Sequence, residues 1–162
     1  MNTAFIPEPG CMIVYRVSKK QFAADLTGEG ARLFGGRWNH IHTACVYTSC
    51  SRALALLEFS VNVNRILAPQ SLNLVSIEIQ DKNILKLHTA DLPENWLDIP
   101  APGSSKDFGT ALLREARYPV IAIPSVIVPE EYNYLLNPLH KDHDRFRIVA
   151  VTTLNYDGRI KS

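Results

Sequence analysis

The chain of 162 residues is 46% hydrophobic and 20% charged and carries a formal net charge of +1, the size and balance of one compact soluble domain. So small a charge excludes a basic field that would draw the chain onto nucleic acid or an anionic membrane, and any anionic ligand must be met locally. The three cysteines, Cys11, Cys45 and Cys50, form no CxxC pair, which argues against a disulfide framework or a zinc knuckle and for reduced thiols.

The opening stretch MNTAFIPEPGCMIVYRVS has no basic segment leading into an uninterrupted apolar run, so neither a secretory signal nor a membrane span is expected, and the cytoplasm is the default location. CMIVYRVS (11 to 18) reads as a strand, followed by a short helical or loop segment through KKQFAADLTGEGARLFGGRWN, where glycines punctuate the chain. TACVYTS (43 to 49) reads as a second strand. SRALALLEFSVNVNRIL (51 to 67) reads as a helix with Ser51 as its N-cap. LNLVSIEIQ (72 to 80) alternates as a strand does, and NILKLH (83 to 88) follows as another.

The proline-rich, polar TADLPENWLDIPAPGSSKD predicts a long surface loop, FGTALLREARY (108 to 118) a short helix, and PVIAIPSVIVP (119 to 129) a buried strand interrupted by proline. RFRIVAVTTLNY (145 to 156) closes the chain as a strand. Strands and helices do not alternate regularly, which favours an α+β fold with mainly antiparallel sheets, and no repeat or linker divides the chain.

Chemistry begins at Glu58, the only charged residue between Ala53 and Asn64. Helical spacing sets it beside Leu54 and Val61 on a face expected to point inward. A buried carboxylate needs a cation or several donors, and the candidates are Arg16, flanked by apolar residues in VYRVS, and Arg37, which follows two glycines that free the backbone for close approach. On their own, Trp38 and Tyr47 read as core aromatics, and Ser125 as a serine satisfying backbone groups beside Pro124. His40, His42 and Cys45 cluster in sequence and His140 and His143 form an HxxH, but the helical zinc-protease spacing and its glutamate are lacking, so no metal is expected.

Taken together, VYRVS, GEGARLFGGRWN, VYTSCSRALALLE and PSVIVPEEYNYLLNP followed by His140 resemble, in order and spacing, the RES family, the toxins of bacterial toxin–antitoxin pairs. The resemblance spans most of the chain as a single RES domain, residues 1 to 162 with a motif-bearing core at about 11 to 156. It implies an ADP-ribosyltransferase-like fold and a toxin that consumes NAD, cleaving nicotinamide from ADP-ribose by hydrolysis or phosphorolysis. The alternatives are ADP-ribosyl transfer to a protein and a non-catalytic nucleotide- or protein-binding module.

The resemblance further implies Arg37, Tyr47, Glu58 and Ser125 as catalytic residues and Arg16, Ser18, Gly36, Trp38, Asn133 and Asn137 as substrate-binding residues. Glu58 would stabilise oxocarbenium character on the ribose, the arginine forks would match pyrophosphate oxygens, Tyr47 would offer a ring for stacking and an orienting hydroxyl, and Ser125 would donate to Glu58 or the ligand. No GxGxxG follows a strand, so NAD is expected as substrate and no cofactor is expected. Leu112 or Leu113 stands where the family often has tryptophan, and Lys141 where proline is common, departures that bear on substrate preference more than on bond cleavage. The implied partner is a helix-turn-helix antitoxin that blocks the pocket. The chain itself shows no DNA-reading helix or basic stripe, so direct nucleic-acid or membrane binding is not expected, and a homodimer is compatible with the sequence.

Overall fold

A computed structural model describes residues 5 to 63 and 71 to 161. It contains, among these residues, strands β1 (Cys11–Ser18), β2 (Val46–Ser49), β3 (Ser71–Gln80), β4 (Ile84–Lys86), β5 (Val120–Pro124), β6 (Tyr132–Leu136) and β7 (Arg147–Asn155), and helices α1 (Glu29–Phe34), α2 (Arg52–Asn62) and α3 (Gly103–Glu115). Every strand pair with a defined register is antiparallel except β4–β5, so the fold is the expected α+β with mainly antiparallel pairing. Contacts divide the chain into two compact units, one of Met1–Ala24, Thr48–Asp81 and Phe146–Ser162, the other of Asp25–Tyr47 and Lys82–Arg145.

In the first unit the strands run β2-β1-β3-β7. β1 pairs along its whole length with β3, from Cys11↔Gln80 to Ser18↔Asn73, and β3 pairs with β7 from Ser71↔Asn155 to Glu78↔Arg147. Leu72, Val75, Ile77 and Ile79 of this central strand are fully buried, as expected of a strand flanked on both edges and covered on its faces. Helix α2 begins where the sequence places it: the Ser51 hydroxyl accepts a hydrogen bond from the Leu54 N–H at 3.0 Å, a cap that contributes about 1 kcal/mol.

The face α2 buries differs from the one expected. Leu54 and Ala55 are buried, and Ala55 joins Val17 and Leu72 in a small core against which Leu56 and Phe59 pack, but Val61 is 52% exposed. The inward stripe is therefore rotated away from the Leu54–Glu58–Val61 line, and Glu58 is half-buried at its margin. The helix has ended by Val63; the expected extension over residues 64 to 67 lies outside the described residues.

In the second unit the strands run β4-β5-β6, and all five residues of β5 are buried. Four expectations change here. The strand expected over 43 to 49 covers only Val46–Ser49, because the Thr43 carbonyl accepts from the Asn39 side chain at 2.9 Å instead of joining a ladder. The strand expected over 119 to 129 stops at Pro124, which cannot donate to a ladder, and Tyr132–Leu136 forms an additional strand paired with it. The segment expected to be a surface loop after His88 buries Leu92 and Trp96 in the core. Its last residues belong to α3, which starts at Gly103 rather than Phe108: Pro102 holds the extended N-cap conformation and its carbonyl accepts from Ser105 and Lys106, while Ser105, Gly109 and Thr110 face inward. No helix among the described residues is long and apolar enough to cross a membrane.

Candidate functional site

The second unit is organised around the Gly-rich loop Gly35 to Thr43. Gly35 takes φ 70° at the end of α1, and the Gly36 N–H donates to the Asn39 carbonyl at 3.0 Å to close a tight turn. A Cβ at Gly36 would stand 2.6 Å from the Tyr47 hydroxyl oxygen, so only glycine lets the backbone pass this close. That hydroxyl accepts from the Trp38 N–H at 3.0 Å and donates to Asn39 Oδ1 at 2.6 Å. Burial pushes the Tyr47 phenol well above its ordinary value, so at neutral pH it keeps the proton it donates.

Asn39 is the loop's central fastener and was not singled out by its sequence pattern. It is fully buried, and its Nδ2 donates to the carbonyls of Ala31, His40 and Thr43 at 2.8, 3.1 and 2.9 Å. The signal available in the sequence was an asparagine ending a glycine-rich turn, which more often marks a local Asx turn than a buried hub. Helix α3 braces the same loop: the His40 N–H donates to Thr110 Oγ1 at 2.9 Å, His40 Nε2 lies 2.6 Å from Asp107 Oδ1, and Arg114 Nε donates to Thr43 Oγ1 at 3.2 Å.

Trp38 is 3% exposed, stacked on Trp96 with ring centroids 6.5 Å apart and meeting Phe108 edge-on at 6.2 Å. Its indole packs in the core and pins the loop. Arg37 Nη1 donates to the carbonyls of Trp96 and Asp98, both at 2.9 Å, so two neutral acceptors hold its guanidinium beside the 96 to 98 segment.

Ser125 is fully buried at the end of β5, and its Oγ accepts from the N–H groups of Ile127 and Val128 at 3.1 and 3.2 Å, closing the turn toward β6. Asn133 lies in β6 opposite Ile123, half-buried. Asn137 is fully buried and structural in its contacts: Nδ2 donates to the Leu113 carbonyl at 2.9 Å and Oδ1 accepts from the Leu139 N–H at 3.0 Å, tying the end of α3 to the segment after β6. His140 Nδ1 accepts from the Asp142 N–H at 3.0 Å in the next turn.

In the first unit, Arg16 Nη2 donates to the Phe22 and Ala23 carbonyls at 3.0 and 3.3 Å, so the guanidinium anchors the segment leaving β1. Ser18 ends the same strand, with an Oγ that is buried and has no hydrogen-bond partner among the described residues. Glu58 stands on the second turn of α2, and Arg52 at the helix start lies 4.5 Å from the Tyr15 ring centroid. Thus Gly36, Arg37, Trp38 and Tyr47 meet in one loop assembly of the second unit, to which Asn39 and Thr110 must be added. Ser125, Asn133 and Asn137 lie on the strand ends and turns of the same unit, while Arg16, Ser18 and Glu58 belong to the first. Among the described residues, no group of three or more His, Cys, Asp or Glu is placed to hold a metal ion.

Comparison with known proteins adds the family context. A family model described as "RES domain" matches residues 13 to 157. A protein of Yersinia enterocolitica named "Toxin Res" is 38% identical over 152 residues, covering 93% of this chain and 100% of that protein. The "Prs ADP-ribosylating toxin" of Sphingobium sp. strain YBL2 is 40% identical over 141 residues, covering 85% of this chain and 88% of its own. Among solved structures, a chain in the crystal structure of the M. tuberculosis MbcT–MbcA toxin–antitoxin complex matches with a TM-score of 0.68 at 17% identity, over 93% of this chain and 86% of that one. At that identity the likeness is one of fold.

Proposed function

The chain belongs to the RES domain family of toxins, and from that premise we propose that it consumes NAD, splitting nicotinamide from ADP-ribose by hydrolysis or phosphorolysis and arresting growth by NAD depletion. The observation that supports cleavage of this bond is the relative at 40% identity named as an ADP-ribosylating toxin. ADP-ribosylation and NAD hydrolysis begin alike, with cleavage of the bond between nicotinamide and the ribose C1′; they differ only in what captures the ribosyl carbon.

That cleavage develops positive charge on the ribose, and a carboxylate beside it stabilises the transition state. Glu58 has this role: it is half-buried and sits on a helix whose first turn is capped and whose inner face is packed, which fixes its backbone. The two charges of the pyrophosphate call for guanidinium forks. Arg37, held through Nη1 by two carbonyls, is a preorganised donor for it. Tyr47 contributes by holding the loop that carries Arg37 rather than as a stacking platform, since its ring is packed among core residues and its hydroxyl has both a donor and an acceptor. Ser125 anchors the β5–β6 turn through the two N–H groups its Oγ accepts. NAD is substrate, not cofactor. The partner is an antitoxin, a reading supported by a fold neighbour solved as a toxin–antitoxin complex, and of the helix-turn-helix type.

A second reading, transfer of ADP-ribose to a protein, is favoured by the name of the same relative. NAD labelled in its adenylate half separates the two. Incubated with the purified chain and cell extract, it leaves the label in small products if water or phosphate is the acceptor and on a protein band if transfer occurs. NAD that survives intact with the purified chain alone and with added cell extract contradicts both readings and leaves a binding module.

A further inference from the structure

Residues 94 to 98 are exposed except for Trp96, which is buried in the core of the second unit. Two overlapping turns shape the segment: the Trp96 N–H donates to the Pro93 carbonyl and the Asp98 N–H to the Asn95 carbonyl, both at 3.0 Å. Bonds of so short a span set the curvature of a turn but not its place on the protein. Side chains set the place. The Trp96 indole stacks on Trp38, and the Ser104 hydroxyl at the start of α3 donates to Asn95 Oδ1 at 2.6 Å.

Trp96 therefore meets two consecutive residues of the Gly-rich loop at once. Its ring lies against Trp38 with centroids 6.5 Å apart, and its carbonyl accepts from Arg37 Nη1 at 2.9 Å. The Asp98 carbonyl, two residues on, accepts from the same nitrogen. Two acceptors at one atom of a planar group fix its plane, and with it the direction of the other N–H groups of the guanidinium. Both acceptors are neutral, so they orient the group without cancelling its charge, which is what recognition of a phosphate requires.

Resting on the NAD reading above, we propose that Trp96 is a positioning residue for Arg37: its buried indole seats the turn of residues 93 to 98 so that the Trp96 and Asp98 carbonyls aim the guanidinium at the pyrophosphate. Trp96 acts through Arg37, and Ser104 supports it from α3 by holding Asn95.

Two measurements on the full chain test this. Side-chain NMR of the nitrogen-15-labelled protein is expected to show slowly exchanging Arg37 Nη1 hydrogens, assigned by their disappearance in Arg37→Lys, and to lose them in Trp96→Leu. Calorimetry with ADP-ribose, which keeps the pyrophosphate, is expected to show a dissociation constant raised about tenfold in Trp96→Leu and only about two- to threefold in Trp96→Phe, which leaves Trp38 a ring to pack on. In an Arg37→Ala background Trp96→Leu is expected to weaken ADP-ribose no further, whereas a merely structural tryptophan would add its full effect. Ser104→Ala leaves the core untouched and keeps the test decisive if Trp96→Leu folds poorly: ADP-ribose is expected to bind about threefold more weakly at an unchanged Tm. A native chain without slowly exchanging Arg37 hydrogens, Arg37 signals indifferent to Trp96→Leu, affinity unchanged in Ser104→Ala, or additive effects in the double variant would each overturn the proposal. Failure of the NAD reading shows separately, as a native chain that neither releases nicotinamide nor binds ADP-ribose, and the NMR comparison then still decides whether Trp96 positions Arg37.

Discussion

Asn39 and Tyr47 act on the candidate site at one remove, through the loop they close. Tyr47→Phe keeps the ring but leaves the Trp38 N–H and Asn39 Oδ1 without their partner in a buried setting, and a loss of about 1–3 kcal/mol in unfolding free energy is expected by chemical denaturation. Asn39→Ala removes three donated hydrogen bonds as well and is expected to cost more than Tyr47→Phe in the same measurement. Equal stability of native and Tyr47→Phe chains would show that the hydroxyl is not the fastener described.

Glu78 gives a residue-scale prediction of another kind. Hydrogen bonds from Arg147, with the Glu8 N–H second, hold its carboxyl below the usual carboxylate range. A carboxylate whose pKa is lowered by folding stabilises the fold fully above the unfolded value of about 4.3, and that contribution is lost as pH falls through the lower folded value. The Tm advantage of the native chain over Glu78→Gln is therefore expected to be constant from neutral pH to about 5 and to shrink on further acidification. An advantage that grows below that pH would reverse the assignment.

At the scale of elements, α3 carries two glycines with opposite expectations. A Cβ at Gly109 would lie 2.1 Å from the Trp38 carbonyl oxygen, which is backbone and cannot yield, so Gly109→Ala is expected to destabilise by at least about 2 kcal/mol. At Gly103 nothing stands within 4 Å, and Gly103→Ala is expected to be neutral or slightly stabilising. Parallel denaturation curves of the two variants check how closely α3 seats on the loop at Trp38.

The same elements show what the sequence could disclose. β1, β3 and β7 and the Ser51 cap follow from local pattern, since β-rich runs and a serine before an alanine–leucine run each have a short-range physical cause. The start of α3 was hidden because Gly103, Ser104 and Ser105 have loop propensity, and tertiary burial of Ser105 outweighs it. Val61 misled for the same reason: one apolar residue at helical spacing looks inward, but the packed stripe runs through Ala55, Leu56 and Phe59. Of the candidate site, Gly36, Arg37 and Tyr47 were legible as a motif. The hub at Asn39 was not, because its partners Ala31, Thr43 and Tyr47 become neighbours only when the chain folds.

For the whole molecule, family and fold rest on independent footings: a domain match over residues 13 to 157, and a structural likeness at a TM-score of 0.68 with only 17% identity. A fold kept at so low an identity is a scaffold, and chemistry has to be argued from side chains. The central claim is that Glu58 makes this chain an NAD-consuming enzyme, and nicotinamide release from NAD, followed for the purified native chain beside Glu58→Gln, tests it most directly. The amide keeps the size of the side chain and removes its charge, so nicotinamide is expected to accumulate with the native chain and its rate to fall by about a hundredfold or more in the variant. No release by the native chain, alone or with cell extract, or near-equal rates from the two proteins, would contradict the account.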